Sequence, residues 1–145
     1  MPRVTFDSSV FISYKPTSLP SGSLLSVVVI QELLSGARDD SEVREWIATA
    51  NKFNKEGRLL VPTMEDWLQT GRVINLLLRG LKSTAKGKTP KLPYADKQRI
   101  IRDVLIARTV KRAGALLVTD NLRDFKIISR YCNVRIVSGK DFFSR

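Results

Sequence analysis

Five acidic side chains stand at strand ends or within apolar patterns, where they could act together on a cation. They are Asp7, Glu32, Asp103, Asp120 and Asp124. Carboxylates that are held close together repel one another unless a divalent cation neutralises them. Oxygen-only ligation favours Mg²⁺ or Mn²⁺, and such an ion can polarise a phosphodiester and activate a water molecule. These residue types therefore indicate metal-assisted hydrolysis.

The residue types that the chain lacks narrow the chemistry further. It contains no histidine and a single cysteine, Cys132. These counts exclude Ser-His-Asp and Cys-His catalysis, an internal disulfide and a cysteine-cluster zinc site. Any catalysis must therefore use carboxylates, hydroxyls, lysines or a metal that prefers oxygen ligands.

Each acid also has a structural explanation when it is considered alone. Asp7 precedes Ser8 and Ser9 at the start of a helical pattern, where an Asp commonly caps the helix. Glu32 lies on an apolar helix surface, and a lone Glu in that position usually extends to solvent because burying its charge is costly. For each residue the structural explanation and a role in a metal site both stay open, although several such acids together favour a shared site.

The segment 103–124 has a pattern that would bring distant acids to one level. It is predicted to form a helix, a turn at Gly114 and a buried strand at 115–118. The helix from Asp103 descends about 15 Å, and the strand climbs back about 16 Å. If the two elements are antiparallel neighbours, Asp103 and Asp120 lie at the carboxyl edge of a parallel sheet, where open α/β folds bind ligands.

Strand and helix patterns alternate along the rest of the chain. The predicted strands lie at 3–6, 24–25, 58–61, 115–118 and 133–137, with 24–25 as an edge strand. Thr63 and Asp66 form an approximate capping box at the start of one helix. We therefore predict an α/β fold, a three-layer α/β/α sandwich with a central, mostly parallel sheet, formed by residues 1–145 as one domain.

The chain is strongly basic, with 25 Lys and Arg against 14 Asp and Glu and a formal net charge of +11. Such an excess favours a polyanionic partner such as nucleic acid, although it can also serve solubility alone. The basic segment 79–102 contains Gly and Pro and is predicted to be an irregular loop that contacts a phosphate backbone. A solvated loop without a partner is the alternative. The candidate nucleic-acid-binding residues are Lys82, Lys86, Lys88, Lys91, Lys97 and Arg99.

Four segments resemble the PIN-domain family, specifically the VapC-type ribonuclease toxins of bacterial and archaeal toxin–antitoxin pairs. They are VTFDSSVFIS, SVVVIQELLSGA, RDVLIARTVKRAGALLVTDNLRDF and the last short strand. The resemblance covers essentially the whole chain and depends on the order and spacing of the segments. The residues that match the family's acids and closing motif are Asp7, Glu32, Asp103, Thr119, Asn121, Asp124 and Phe125.

The resemblance implies a Mg²⁺- or Mn²⁺-dependent endoribonuclease that forms a homodimer and is inhibited by a cognate antitoxin. No apolar run approaches the roughly 18 residues of a membrane span, and no secretory signal is evident, so we expect a cytoplasmic protein. A non-catalytic PIN-like scaffold that binds RNA is the alternative. Such a scaffold is expected to have lost one or more of the acids, and this chain retains them.

The resemblance also implies a role for each site residue. Asp7, Asp103 and Asp124 are expected to hold the metal, directly or through water. Asp120 stands where many relatives have another residue, so the sequence leaves open whether it or Asp124 is nearer to the metal. Glu32 is expected to bind metal or to orient the attacking water. The residues expected to support these ligands are Ser9, Thr119 and Asn121.

Overall fold

The computed structural model describes residues 3–14, 19–84 and 94–144, in which strands and helices alternate as predicted. The strands are β1 (Val4–Phe6), β2 (Leu25–Ser26), β3 (Leu59–Leu60), β4 (Leu116–Val118) and β5 (Arg135–Val137). The helices are α1 (Ser8–Tyr14), α2 (Val27–Ser35), α3 (Asp40–Lys55), α4 (Met64–Thr84), α5 (Tyr94–Arg112), α6 (Leu122–Ser129) and α7 (Gly139–Phe143). None of these helices, over the described residues, is both long and apolar enough to cross a membrane.

All strand pairs among the described residues are parallel, which confirms the predicted parallel sheet. β1 pairs with β4 and β4 with β5, whereas β2 pairs with β3. The Leu24 amide donates to the Val4 carbonyl at 2.8 Å, and the Leu25 amide donates to the Arg58 carbonyl at 3.0 Å. β2 and β3 form a two-stranded sheet, in which each strand is an edge strand, so the predicted edge strand is confirmed with a shift of one residue. The Leu24 bond connects the start of this pair to β1.

The core lies between the sheet and α5. Both faces of β1 are covered, since Val4, Thr5 and Phe6 are all buried. The buried apolar residues of α5 are Val104, Leu105, Ile106, Ala107 and Val110. A strand covered on both faces commonly has a continuous apolar sequence, which matches β4, whereas β1 includes one buried polar residue, Thr5.

The chain reverses between α5 and β4 through a single glycine. Gly114 has a φ of +65°, a left-handed conformation that favours glycine. Its amide donates to the Lys111 carbonyl at 3.0 Å, which ends the helix. The predicted helix–turn–strand arrangement after Asp103 is thus confirmed, and it returns the chain to the edge where β1 ends.

The predicted irregular loop at 79–102 is wrong over most of the residues that the structure describes. α4 continues to Thr84 and α5 begins at Tyr94, and these two helices pack against each other extensively. Gly80 lies within α4, where a Cβ atom would approach the Tyr131 hydroxyl to 3.2 Å, so its small size serves packing. Lys82 falls on α4, Lys97 and Arg99 fall on α5, and Lys86, Lys88 and Lys91 lie outside the described residues.

The capping box that opens α4 is confirmed and is part of a larger buried contact. The Thr63 amide donates to the Asp66 carboxylate at 3.0 Å, and the Asp66 amide donates to the Thr63 hydroxyl at 3.2 Å. Asp66 is fully buried and accepts from Arg112 of α5 at 3.1 Å, with Arg108 at 3.8 Å. Burial disfavours the charged form, but the Thr63 amide and Arg112 outweigh it and lower the pKa of Asp66.

Candidate metal-binding carboxylate site

Asp7 is held by three donors immediately after β1, at the carboxyl edge of the sheet. Its Oδ1 accepts from the Ser8 amide at 2.8 Å, and its Oδ2 accepts from the Thr119 hydroxyl at 2.9 Å and the Ser9 hydroxyl at 3.2 Å. Burial raises the pKa of Asp7, and these hydrogen bonds oppose that rise. Asp7 therefore helps to start α1 and also faces the end of β4.

Ser8 connects Asp7 to Glu32. Its hydroxyl donates to Glu32 Oε2 at 2.9 Å, whereas Glu32 Oε1 is buried and has no hydrogen-bond partner. The pKa of Glu32 is raised overall, mainly by burial and also by the Asp7 charge. The Ser8 hydrogen bond and Arg102 oppose that rise. The carboxylate thus turns towards Asp7 and does not extend freely into solvent. The sequence did not single out Ser8, because no local signal marks a contact with a residue 24 positions away.

Asp103 interacts electrostatically with several surrounding charged residues. It is 6% exposed, and its Oδ2 has no hydrogen-bond partner. The pKa of Asp103 is raised to about 8, and burial is the largest cause. The other causes that raise it are the negative charges of Asp7, Glu32 and Asp124, while Arg99 lowers it. These four acids, from the end of β1, α2, α5 and α6, are named the carboxylate cluster.

Asp124 lies in the first turn of α6 and is positioned by Asn121. The Asn121 side chain donates to Asp124 Oδ2 at 3.1 Å and makes no side-chain cap bond to its own helix. The Asn121 amide donates to the Thr119 hydroxyl at 3.0 Å, and that hydroxyl also bonds to Asp7. Thr119 and Asn121 therefore link the first acid of the chain to the last member of the cluster.

Asp120 is directed away from the carboxylate cluster. Its Oδ1 accepts from the Gly139 amide at 3.1 Å, and its own amide donates to Ser9 Oγ at 3.2 Å. A Cβ atom at Gly139 would lie 2.9 Å from Asp120 Oδ1 and 2.6 Å from the Tyr14 ring, so only glycine fits there. Asp120 is also absent from the charges that act on Asp103. Of these two acids, Asp124 is therefore the one whose charge acts on Asp103.

The cluster has the donor chemistry of a hard-cation site without being assembled around one point. Within the described ranges, no three acidic side chains converge closely enough to hold a metal ion as they stand. All donors are oxygens, however, and two buried carboxylate oxygens, on Glu32 and Asp103, lack partners. Buried charges without partners are unfavourable, so a cation bound there would relieve the cluster. The residues fit Mg²⁺ or Mn²⁺ provided that the carboxylates move towards a common point.

Two grooves open on either side of Glu32. The larger, about 790 Å³, runs between α2, α4 and α5, and its polar and aromatic lining includes Gln31, Trp67, Gln98 and Arg102. The smaller, about 500 Å³, runs between α1, α2 and α3 and is lined by Phe11, Arg38 and Trp46, among others. Glu32 is therefore the member of the carboxylate cluster that borders both grooves.

Basic residues of α5 border the cluster on the turn before Asp103. Arg99 lies 3.7 Å from both Asp96 Oδ1 and Asp124 Oδ2 and is about half exposed. Arg102 lines the larger groove beside Glu32, although the sequence did not single it out. These cations lie where a polyanion approaching the cluster would meet them.

Comparisons of the chain with known proteins found similar structures. No protein-family model matches, and no curated protein sequence matches. A chain of the DNA-bound VapBC structure from Salmonella typhimurium has 24% identity and a TM-score of 0.58, over 96% of this chain and 99% of that one. A chain of VapBC-1 from nontypeable Haemophilus influenzae has 18% identity and a TM-score of 0.58, over 95% of this chain and 98% of that one. A chain of FitAB bound to the IR36 DNA fragment has 12% identity and a TM-score of 0.57, over 94% of each chain. The fold is shared along nearly the whole chain.

Proposed function

We propose that this protein is a metal-dependent endoribonuclease and the toxin of a type II, VapBC-like toxin–antitoxin pair. The observation that carries this proposal is the burial of Asp103 against three other acids that come from separate elements. The fold likeness to chains of VapBC and FitAB complexes supports it, as do the PIN-like segments of the sequence. We include in the proposal a PIN-like α/β/α sandwich with helices on both faces of the sheet.

In this proposal Asp7, Asp103 and Asp124 hold Mg²⁺ or Mn²⁺. When bound, such an ion polarises a phosphodiester and lowers the pKa of a bound water. Glu32 is suited to orient the attacking water or accept its proton, because its Oε1 has no other partner. The residues that hold these carboxylates in place are Ser8, Ser9, Thr119 and Asn121.

We further propose RNA as the substrate, with a cognate antitoxin as inhibitor and a homodimer in the cytoplasm as the active form. The formal charge of +11 and the cations of α5 beside the cluster favour a phosphate backbone. The proposed phosphate contacts are Lys82, Lys86, Lys88, Lys91, Lys97 and Arg99. Three of these lysines lie outside the described residues, so Lys97 and Arg99 are the ones to test first.

The test is cleavage of a total-RNA pool by purified protein in Mg²⁺, in Mn²⁺ and in EDTA. Wild type is expected to yield discrete fragments that disappear with EDTA and with Asp103→Asn. Asp40→Asn is the matched control, because Asp40 is exposed on α3. Cleavage that persists in EDTA, or in Asp103→Asn at the wild-type rate, would falsify the proposal.

A non-catalytic RNA-binding scaffold is the second candidate, and one observation favours it. In the parts of the chain that the structure describes, the acids are not preassembled around a metal position. A scaffold would bind RNA with the same salt sensitivity but would leave the RNA pool intact in Mg²⁺ and Mn²⁺. Its thermal stability would also be unchanged by either ion.

A further inference from the structure

Arg99 is the cation nearest to the carboxylate cluster for which the structure gives an ion pair. Its Nε lies 3.7 Å from Asp124 Oδ2, and its NH2 group lies 3.7 Å from Asp96 Oδ1. Asp96 is one turn earlier on the same helix and is not among the charges that act on Asp103. Arg99 thus bridges one acid inside the cluster and one outside it.

We propose that Arg99 is a built-in counter-cation that competes with the divalent metal for Asp124, with Asp96 as its alternative partner. This inference rests on the proposed function, because it concerns the metal affinity of the same cluster. The guanidinium is permanently charged and directional, so it can neutralise Asp124 when no metal is bound. Asp96 retains the side chain nearby when Asp124 turns to the metal.

The arrangement of donors on Asp124 explains why this competition matters. The side-chain amide of Asn121 and the guanidinium of Arg99 approach the same oxygen of Asp124, Oδ2, at 3.1 Å and 3.7 Å. The Asn121 bond is compatible with a bound metal because the amide is neutral and leaves the charge of Asp124 available. The Arg99 contact is different, since its positive charge partly neutralises Asp124 and so weakens the attraction of that carboxylate for a metal ion. Removing Arg99 should therefore tighten metal binding, whereas removing most supporting residues would weaken it.

The test is titration of wild type and variants with Mn²⁺, followed by electron paramagnetic resonance of free Mn²⁺. Arg99→Gln is expected to bind Mn²⁺ about two- to fivefold more tightly, the range of a partly exposed ion pair. Arg99→Lys keeps the charge and should stay within about twofold of wild type. Lys111→Gln is the matched control: it removes one exposed cation from the same helix and should also stay within about twofold.

A double-mutant cycle tests the role of Asp96. Asp96→Asn should weaken Mn²⁺ binding in wild type, because Arg99 then keeps Asp124 as its partner. The same substitution should have little effect in Arg99→Gln, whereas a simple field effect would weaken binding equally in both backgrounds.

Two outcomes overturn the inference and leave the proposed function standing. One is equal Mn²⁺ affinity in Arg99→Gln and Lys111→Gln, and the other is weaker binding in Arg99→Gln, with Asp103→Asn abolishing binding in either case. If wild type binds no Mn²⁺ at all, the metal site of the proposed function fails and the inference fails with it.

Discussion

At the scale of single residues, Asp103 is the acid of the carboxylate cluster whose charged form is most strongly disfavoured. One of its buried oxygens has no partner, and burial, together with the charges of three other acids, raises its pKa to about 8. The metal-free protein therefore keeps Asp103 largely protonated at neutral pH. A divalent cation would replace that proton, so metal binding should release protons and stabilise the fold.

Asp103 should make the metal-free protein less stable as the pH rises. Its pKa is about 8 in the folded protein and near 3.8 without the surroundings, so the folded state holds an extra proton between these values. Stability in EDTA should therefore fall from about pH 4 to about pH 8 and level off above. Asp103→Asn should remove part of this slope and raise Tm at pH 8 by about 3 to 8 °C.

Thermal unfolding in EDTA from pH 5 to pH 9 measures this effect, with Asp40→Asn as the control on an exposed acid. Parallel curves for wild type and Asp103→Asn would show that burial and neighbouring charges do not raise the pKa of Asp103. Mg²⁺ should raise the Tm of wild type and leave that of Asp103→Asn nearly unchanged.

Asp124 and Asp120 should differ sharply in their contribution to cleavage. Asp124→Asn removes a charge that acts on Asp103, whereas Asp120→Asn alters a side chain bonded to Gly139. We expect Asp124→Asn to lose at least about a hundredfold in rate, or about 2.7 kcal/mol, and Asp120→Asn to stay within about fivefold of wild type. Initial rates on one RNA substrate decide this, and a larger loss in Asp120→Asn would reverse the assignment.

The sequence located three acids of the cluster but could not choose between Asp120 and Asp124. Asp7, Glu32 and Asp103 lie in apolar or strand-end settings that are visible in the sequence itself. The direction of Asp120 depends on Gly139, which is 19 positions away in the chain and has no local signature. The bridge from Ser8 to Glu32 spans 24 positions and was equally invisible. Contacts of this kind arise only from the assembled fold.

At the scale of elements, α5 carries both the central acid and the contacts that fix its position. Its middle holds Asp103, its early turns hold Arg99 and Arg102, and its last turns hold Arg108 and Arg112. The two later arginines contact the buried Asp66 at the start of α4. That contact fixes how α4 and α5 pack, and hence where Asp103 lies.

Asp66→Asn should destabilise the protein by about 2 to 3 kcal/mol, because it removes the buried charge that Arg108 and Arg112 contact and weakens the cap of α4. Urea unfolding at neutral pH measures the change. Glu65→Gln is the matched control: Glu65 is exposed in the same helical turn, and we expect a change within about 0.5 kcal/mol. Equal unfolding midpoints for the two variants would contradict a stabilising role for Asp66.

Element boundaries were predictable where local signals agreed and failed where they conflicted. The capping pair Thr63–Asp66 and the turn at Gly114 follow local rules, and both are confirmed. Gly80 was taken as a sign of irregular chain, but packing against Tyr131 keeps it within α4. Residues 24–25 were predicted as an edge strand, and β2 does pair with β3 alone, although the sequence did not show which strand would be its partner.

At the scale of the whole molecule, the parallel sheet brings the ends of β1 and β4 to one edge, where the cluster forms. The Asp7 amide donates to the Val118 carbonyl at 2.9 Å, which ties the first acid to the end of β4. Glu32 borders a groove on each side, and the chain as a whole carries an excess of basic residues. Fold likeness to chains of VapBC and FitAB complexes extends over at least 94% of the chain.

The most direct test of the central claim is anomalous scattering from crystals of the protein soaked in Mn²⁺. A metal centre at the carboxylate cluster predicts a Mn²⁺ peak bordered by Asp7, Asp103 and Asp124, and no peak there in Asp103→Asn. A wild-type map without a peak at the cluster, from crystals in which these side chains are ordered and open to solvent, would contradict the account.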